Sequence, residues 1–226
     1  MGALECGGPR RCCAGGLQQR PIARTESDSD CIPADQHCAA VDADAAIHCG
    51  LKDGQSLGLT GFGASAHLVL KMVRHRYPNS KVYVFARSEK ERAFARELGA
   101  AWVGDTKDDS PEKLDSIIDT TPVWEPMVEA LKNLEPGGRL VVNAIRKEDA
   151  DKDSLLRLEY PVHLWSEKEI KSVANVTRSD VREFLQLAAE IPIRPEVQEF
   201  ALEEANKALV ELKTRKIRGA KVLRMG

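Results

Sequence analysis

The chain has 226 residues, 42% of them hydrophobic, and a formal net charge of −2. That is enough apolar material for one packed domain and part of a second. The small net charge argues against nucleic acid as the main partner, because no basic excess exists to neutralise phosphate backbones. No apolar run approaches the ~20 residues that span a bilayer. The amino terminus also lacks the basic-then-apolar pattern of a signal peptide, so a cytoplasmic protein with no membrane partner is expected.

All six cysteines fall in the first 49 residues: Cys6, Cys12, Cys13, Cys31, Cys38 and Cys49. The first 50 residues also contain no Lys, Phe, Tyr or Trp. A shift this abrupt marks a boundary, and a segment with so few bulky apolar groups cannot bury much surface alone. In a cytoplasmic chain these thiols stay reduced. His37-Cys38 and His48-Cys49 supply four potential zinc ligands. Adjacent residues in a strand point to opposite faces, however, and neither pair has Cys-x-x-Cys spacing, so a metal site is not expected here.

From Gly50 the pattern alternates strand and helix. The first strand reads at Ser56–Thr60, followed by a helix over Ala64–Tyr77 that stops before Pro78. A strand at Lys81–Ala86 precedes a helix at Glu89–Leu98, which Gly99 terminates. Short strands follow at Ala101–Gly104 and Ser116–Asp119. Val123–Leu134 is helical, with Met127, Val128, Leu131 and Leu134 on one face, and is closed by Pro136-Gly137-Gly138. The last two strands are Arg139–Asn143 and Glu169–Val173. Six short strands alternating with helices predict an α/β fold of Rossmann type, a doubly wound six-stranded parallel sheet with Ser56–Thr60 at its centre.

Thr177-Arg178-Ser179-Asp180 opens another helix with a capping-box-like start, and Val181, Phe184, Leu185 and Ala188 form its apolar stripe. The tail reads strand (Val197–Phe200), helix (Glu203–Lys213), strand (Lys221–Arg224), with Ala205, Ala208, Leu209 and Leu212 on the helix's apolar face. The division expected is a poorly structured segment over 1–49, a nucleotide-binding domain over 50–190 and a small tail over 191–226.

Between the first strand and helix lies Gly61-Phe62-Gly63-Ala64-Ser65-Ala66. In this strand–turn–helix context a Gly-x-Gly-x-x-Ala string suits a dinucleotide. The first glycine permits the tight turn, and the second lets the backbone approach a pyrophosphate. Ala66 is small enough for helix and strand to pack closely. The helix amino end then favours the phosphates. An NAD site places an acid after the second strand to hold the ribose 2′-hydroxyl. Here that strand runs into Ala86-Arg87-Ser88, with no acid. Arg87 can face a 2′-phosphate with a fork of donors, Ser88 can add a hydroxyl, and Arg92 lies one turn into the next helix. NADP(H) is therefore expected over NAD(H).

Several segments together resemble the zinc-dependent alcohol dehydrogenases of the medium-chain dehydrogenase/reductase family. Gly50-Leu51-Lys52-Asp53-Gly54-Gln55 is similar to the family's lead into its cofactor domain, and Gly61–His67 to its pyrophosphate turn. Glu97-Leu98-Gly99-Ala100, Ile118-Asp119-Thr120-Thr121-Pro122 and Leu134-Glu135-Pro136-Gly137-Gly138 resemble its later junctions. Ile217-Arg218-Gly219-Ala220-Lys221-Val222-Leu223 is similar to its closing strand. The resemblance implies that Thr120 and Thr121 hold the cofactor's inner ribose and that Asn143, Ala144 and Ile145 lie beside the nicotinamide. It also implies an alcohol–aldehyde hydride transfer with zinc, and pairing of subunits through the sixth strand, Glu169–Val173.

The chain departs from that pattern in containing no Gly-His-Glu, which carries zinc ligands in the family. Residues 1–49 are accordingly expected to be a truncated remnant of the catalytic domain that does not hold zinc, leaving little or no activity. The alternatives are a non-catalytic nucleotide-binding module and a zinc-free quinone or enoyl reductase.

Overall fold

A computed structural model describes residues 49–174, 177–191, 196–214 and 220–225. Expectations for residues 1–48, including the potential ligands His37, Cys38 and His48, lie outside the described residues, as do those for Ile217–Gly219.

The elements follow the predicted order. They are β1 (Ser56–Thr60), α1 (Ala66–Arg76), β2 (Lys81–Phe85), α2 (Glu89–Glu97), β3 (Trp102–Gly104), β4 (Leu114–Asp119), α3 (Glu125–Leu131), β5 (Leu134–Val142), a single turn α4 (Tyr160–His163), β6 (Glu169–Ser172) and α5 (Arg178–Glu190). A six-stranded sheet is ordered β3-β2-β1-β4-β5-β6, with every pairing parallel. Leu57 lies opposite Val82 on one side and Ser116 on the other. The strand β1 is therefore central, and the chain winds outward from it in both directions. A ligand crevice forms at such a reversal, at the carboxyl ends of the strands.

Side-chain alternation sorts the strands between two apolar layers. Leu57 and Leu59 of β1, Val82 and Val84 of β2, Ile118 of β4 and Val141 of β5 pack with Val69, Met72 and Val73 of α1, Phe94 of α2 and Phe184 of α5. Tyr83, Phe85, Ile117 and Leu140 turn to the opposite face, against Met127, Val128 and Leu131 of α3. Neighbouring residues thus serve opposite cores, which is why these strands read as continuous apolar runs.

The entry to β5 and the buried face of α5 differ from expectation. The helix expected over Val123–Leu134 ends at Leu131, and β5 begins at Leu134, so Pro136-Gly137-Gly138 lies inside the strand rather than closing the helix. The register jumps from Leu114–Leu134 to Ser116–Arg139 across a bulge. Gly137 adopts a φ of 73° there. A Cβ on Gly138 would sit 2.9 Å from the Glu135 carbonyl oxygen. In α5, Phe184 is buried as expected with Val181 and Ala188 beside it, but Leu187 takes the packed place expected of Leu185. Leu185 is exposed on the helix flank.

The tail forms β7 (Val197–Ala201), α6 (Ala205–Lys213) and β8 (Ala220–Arg224). The strands β7 and β8 pair in parallel as a separate two-stranded sheet. Its buried centre is Phe200 and Ala208, while Leu209, Val210 and Leu212 are exposed.

Candidate functional site

The glycine turn leaves β1 at Gly61, whose φ of 75° is a conformation that side chains with a Cβ rarely adopt. A Cβ there would also come within 3.0 Å of Thr121 Cγ2 and 3.3 Å of Thr120 Oγ1. The Gly61 N–H donates to the Phe85 carbonyl at 2.8 Å, tying the turn to the end of β2. A Cβ on Gly63 would meet no protein atom within 4 Å. Gly63 therefore presents bare backbone to open space, the cradle a close-approaching phosphate requires. Ala66 is fully buried under the turn, and α1 carries no acidic residue in its first turn.

A cleft of about 700 Å³ opens above the turn. Gly61 to Ser65 form its floor. Arg87 and Glu91 stand on the β2 side with Thr106, and Thr120, Thr121 and Pro122 on the β4 side. Arg146 and Glu148 follow from the loop after β5, and Leu209, Leu212 and Lys213 from α6 complete the wall. That volume and its mixed lining suit a large polar ligand.

The structure brings together Gly61, Phe62, Gly63, Ala64, Ser65, Arg87, Thr120 and Thr121 of the expected residues. Others stand elsewhere. Arg92 donates through Nη1 to the carbonyls of Ala86 (2.7 Å) and Arg87 (3.2 Å) and to Asp105 (3.1 Å), and through Nε to Glu89 (2.9 Å). It braces the turn after β2 instead of lining the cleft. Helical spacing shows where such a residue starts but not which way its guanidinium folds. Ser88 is the N-cap residue of α2. Asn143 and Ala144 are half-buried past the end of β5, with the Asn143 N–H donating to the Asp119 carbonyl at 2.8 Å. Ile145 is 98% exposed.

Sequence reasoning missed Glu91 and the buried network around Asp119. Burial holds the Glu91 carboxyl above the usual carboxylate range, with Arg87 pulling the other way. Asp119 has no exposed surface and accepts from Thr60 Oγ1 (2.5 Å), Thr121 N–H (3.1 Å) and Thr121 Oγ1 (2.7 Å). It also pairs with Lys147. The one available signal was an acid ending an apolar strand, since a buried carboxylate requires partners.

Among the described residues, no three His, Cys, Asp or Glu side chains converge to hold a metal ion. Cys49 is buried and its thiol is pushed up to about 12, chiefly by desolvation, which disfavours the thiolate a metal takes. These residues do not fit a zinc centre. No helix among them is long and apolar enough to cross a membrane.

The family model for zinc-binding dehydrogenases matches residues 66–190. A probable alcohol dehydrogenase, AdhA, of Mycobacterium tuberculosis (strain CDC 1551 / Oshkosh) is 36% identical over 173 residues, covering 76% of this chain and 48% of its own. Acetophenone reductase from Geotrichum candidum NBRC 4597, solved in complex with NAD, superposes with a TM-score of 0.69 at 20% identity, over 83% of this chain and 53% of its own. A Helicobacter pylori CAD solved with NADP(H) superposes with a TM-score of 0.68 at 20% identity, over 83% and 52%. This chain spans about half the length of these relatives. At such identities the two superpositions establish the Rossmann fold. The family match covers more than half of the chain, and its glycine turn opens on the crevice such a fold provides, so the chain belongs to the zinc-binding dehydrogenase family, within the alcohol dehydrogenase-like medium-chain dehydrogenases/reductases.

Proposed function

We propose that this chain is an NADP-preferring, nicotinamide dinucleotide-binding member of its family with little or no alcohol-oxidising activity of its own. The observation that carries the reading is the pairing of Arg87 with the bare glycine turn across one cleft. Gly63 and Ala64 would hold the pyrophosphate, and Arg87 would hold the 2′-phosphate by charge-assisted hydrogen bonds. When bound, the nicotinamide supplies a hydride donor or acceptor. Around it this chain offers backbone and hydroxyl groups, with Thr120 and Thr121 positioned for a ribose. Zinc would lower the pKa of a bound alcohol, and the sequence contains no Gly-His-Glu to hold it. An alcohol left near its high solution pKa gives up hydride slowly. Pairing of copies through the edge strand β6 is part of the same proposal.

Glu91 favours a second reading. Its carboxyl lines the same end of the cleft and can accept from a ribose 2′-hydroxyl, which would select NAD. Fluorescence titrations with NADPH and NADH separate the two. The expected result is saturable binding with NADPH the tighter. In Arg87→Ala the NADPH dissociation constant should rise roughly tenfold or more, the size of a lost hydrogen bond to a charged group, while that for NADH changes little. Equal effects on both cofactors would overturn the assignment of Arg87. An alcohol screen with NADP, with and without added zinc, tests the activity. Rapid turnover without zinc would overturn that part of the reading.

A further inference from the structure

Lys147 is the one cationic partner of Asp119 given by the described contacts, and it comes from the loop after β5, outside every expected site residue. Its side chain is 9% exposed, and that of Asp119 not at all. Besides the carboxylate, Nζ donates to the carbonyl oxygens of Thr121 and Val123, both at 2.8 Å. An ammonium has three donors, and these three acceptors use them all. The Lys147 ammonium also lies 5.9 Å from the centre of the Trp124 ring.

The acceptors share one feature. Thr121 and Val123 belong to the turn after β4, which forms one wall of the cleft. Lys147 draws two carbonyls of that turn inward, while the carboxylate holds Thr121 by its N–H and its hydroxyl. The same carboxylate accepts from Thr60, the last residue before Gly61. Thr121 in turn lies beside Gly61, where a Cβ would come within 3.0 Å of its Cγ2. The chain of contacts therefore runs from Lys147 through Asp119 to both the glycine turn and the opposite wall.

We propose that Lys147 is a positioning residue of the dinucleotide site, setting the distance between the glycine turn and the Thr121–Val123 wall. The proposal rests on the cofactor reading above. It assigns the Thr121 side of the cleft to Lys147 and leaves the Arg87 side independent of it, since Arg87 follows β2 and is braced by Arg92.

The test compares two probes, NADPH and adenosine 2′-monophosphate, on the full chain. The fragment carries the 2′-phosphate and lacks both the pyrophosphate and the nicotinamide half, so it engages the Arg87 side only. Lys147→Met leaves Asp119 as an uncompensated buried charge and is prone to unfold. The double variant Lys147→Met/Asp119→Asn removes both charges and is the decisive protein. Its dissociation constant for NADPH should rise about tenfold, as the Thr121–Val123 wall loses its placement, and that for the fragment less than about twofold. Parallel loss of both ligands, unchanged binding of NADPH, or failure of the double variant to fold would overturn the proposal, leaving the pair a purely structural one. A wild-type chain that binds neither NADPH nor NADH would overturn the cofactor reading and this proposal with it. Loss confined to the double variant would leave the cofactor reading standing.

Discussion

His67 occupies the first turn of α1 with no exposed surface, its ring 5.8 Å from that of Phe94. Nδ1 lies 3.1 Å from the Gly63 carbonyl oxygen, so the neutral tautomer with a proton on Nδ1 ties the helix back to the glycine turn. Nε2 is buried without a partner and can remain so only while the ring is uncharged. Burial accordingly holds the imidazole below its ordinary value, with the Gly63 carbonyl opposing and Lys71 assisting. The folded state binds this proton less readily than the unfolded chain does. The contribution to stability is thus complete above the ordinary value near 6.5 and is lost as pH falls through the lower folded-state value. Thermal unfolding midpoints should drop between pH 7 and 5.5 in the wild-type chain. The drop should be smaller in His67→Gln, which has no proton to gain; equal slopes would contradict this account. The bare carboxylates lowered by ion pairs, such as Glu89 and Glu125, act below that window.

At the scale of elements, helix ends show what local sequence can and cannot display. The amino end of α5 is closed by a capping box in which Asp180 N–H donates to Thr177 Oγ1 (3.3 Å) and Thr177 N–H to Asp180 (2.6 Å). The residues stand three apart, so the sequence announces it. The helix α3 has Trp124 at its N-cap position and no cap from that side chain. Its donors go instead to Asp151 Oδ2, which accepts from the N–H groups of Trp124 and Glu125, each at 2.8 Å. A negative charge there also complements the helix dipole. Asp151→Ala should destabilise the chain by about 1–2 kcal/mol in urea unfolding, the usual cost of a lost cap, and Asp151→Asn by less. An Ala variant as stable as wild type would show that water replaces the cap at no cost. Because Glu125 and Pro126 line the cleft, the same substitution should also weaken cofactor binding.

At the scale of the molecule, the six-stranded sheet and the tail differ in what holds them. The strands β1 and β4 are almost wholly buried between helices. The β7–β8 pair has Phe200 and Ala208 as its buried centre and leaves Leu209, Val210 and Leu223 exposed. Lys221 covers the Phe200 ring at 4.6 Å and pairs with Glu211 at 2.6 Å. Two strands alone are marginal in water. Amides of β7 and β8 should therefore exchange with solvent orders of magnitude faster than those of β1 and β4, opening locally without global unfolding. NADPH should slow exchange in α6, since Leu209, Leu212 and Lys213 stand on the cleft wall. Uniform protection across both sheets would show that the tail is fixed by something beyond its own small core.

The sequence by itself determined the sheet, its central strand and the turn that opens the cleft. Those features rest on local signals: apolar runs of strand length, 3.6-residue periodicity, and a Gly-x-Gly turn between strand and helix. The bulge over Glu135–Gly138 was misread because a Pro-Gly-Gly run looks the same as a helix stop and as a kinked strand. The choice of Leu187 over Leu185 turned on a helix rotation that only packing fixes. Tertiary structure alone decided the rest of the site. It turned Arg92 away from the cleft, brought Glu91 into it, and joined Asp119 to Lys147 across 28 residues. Such partners are set by where strands end in space, and a buried charge in the sequence states only that it requires a partner, not which one.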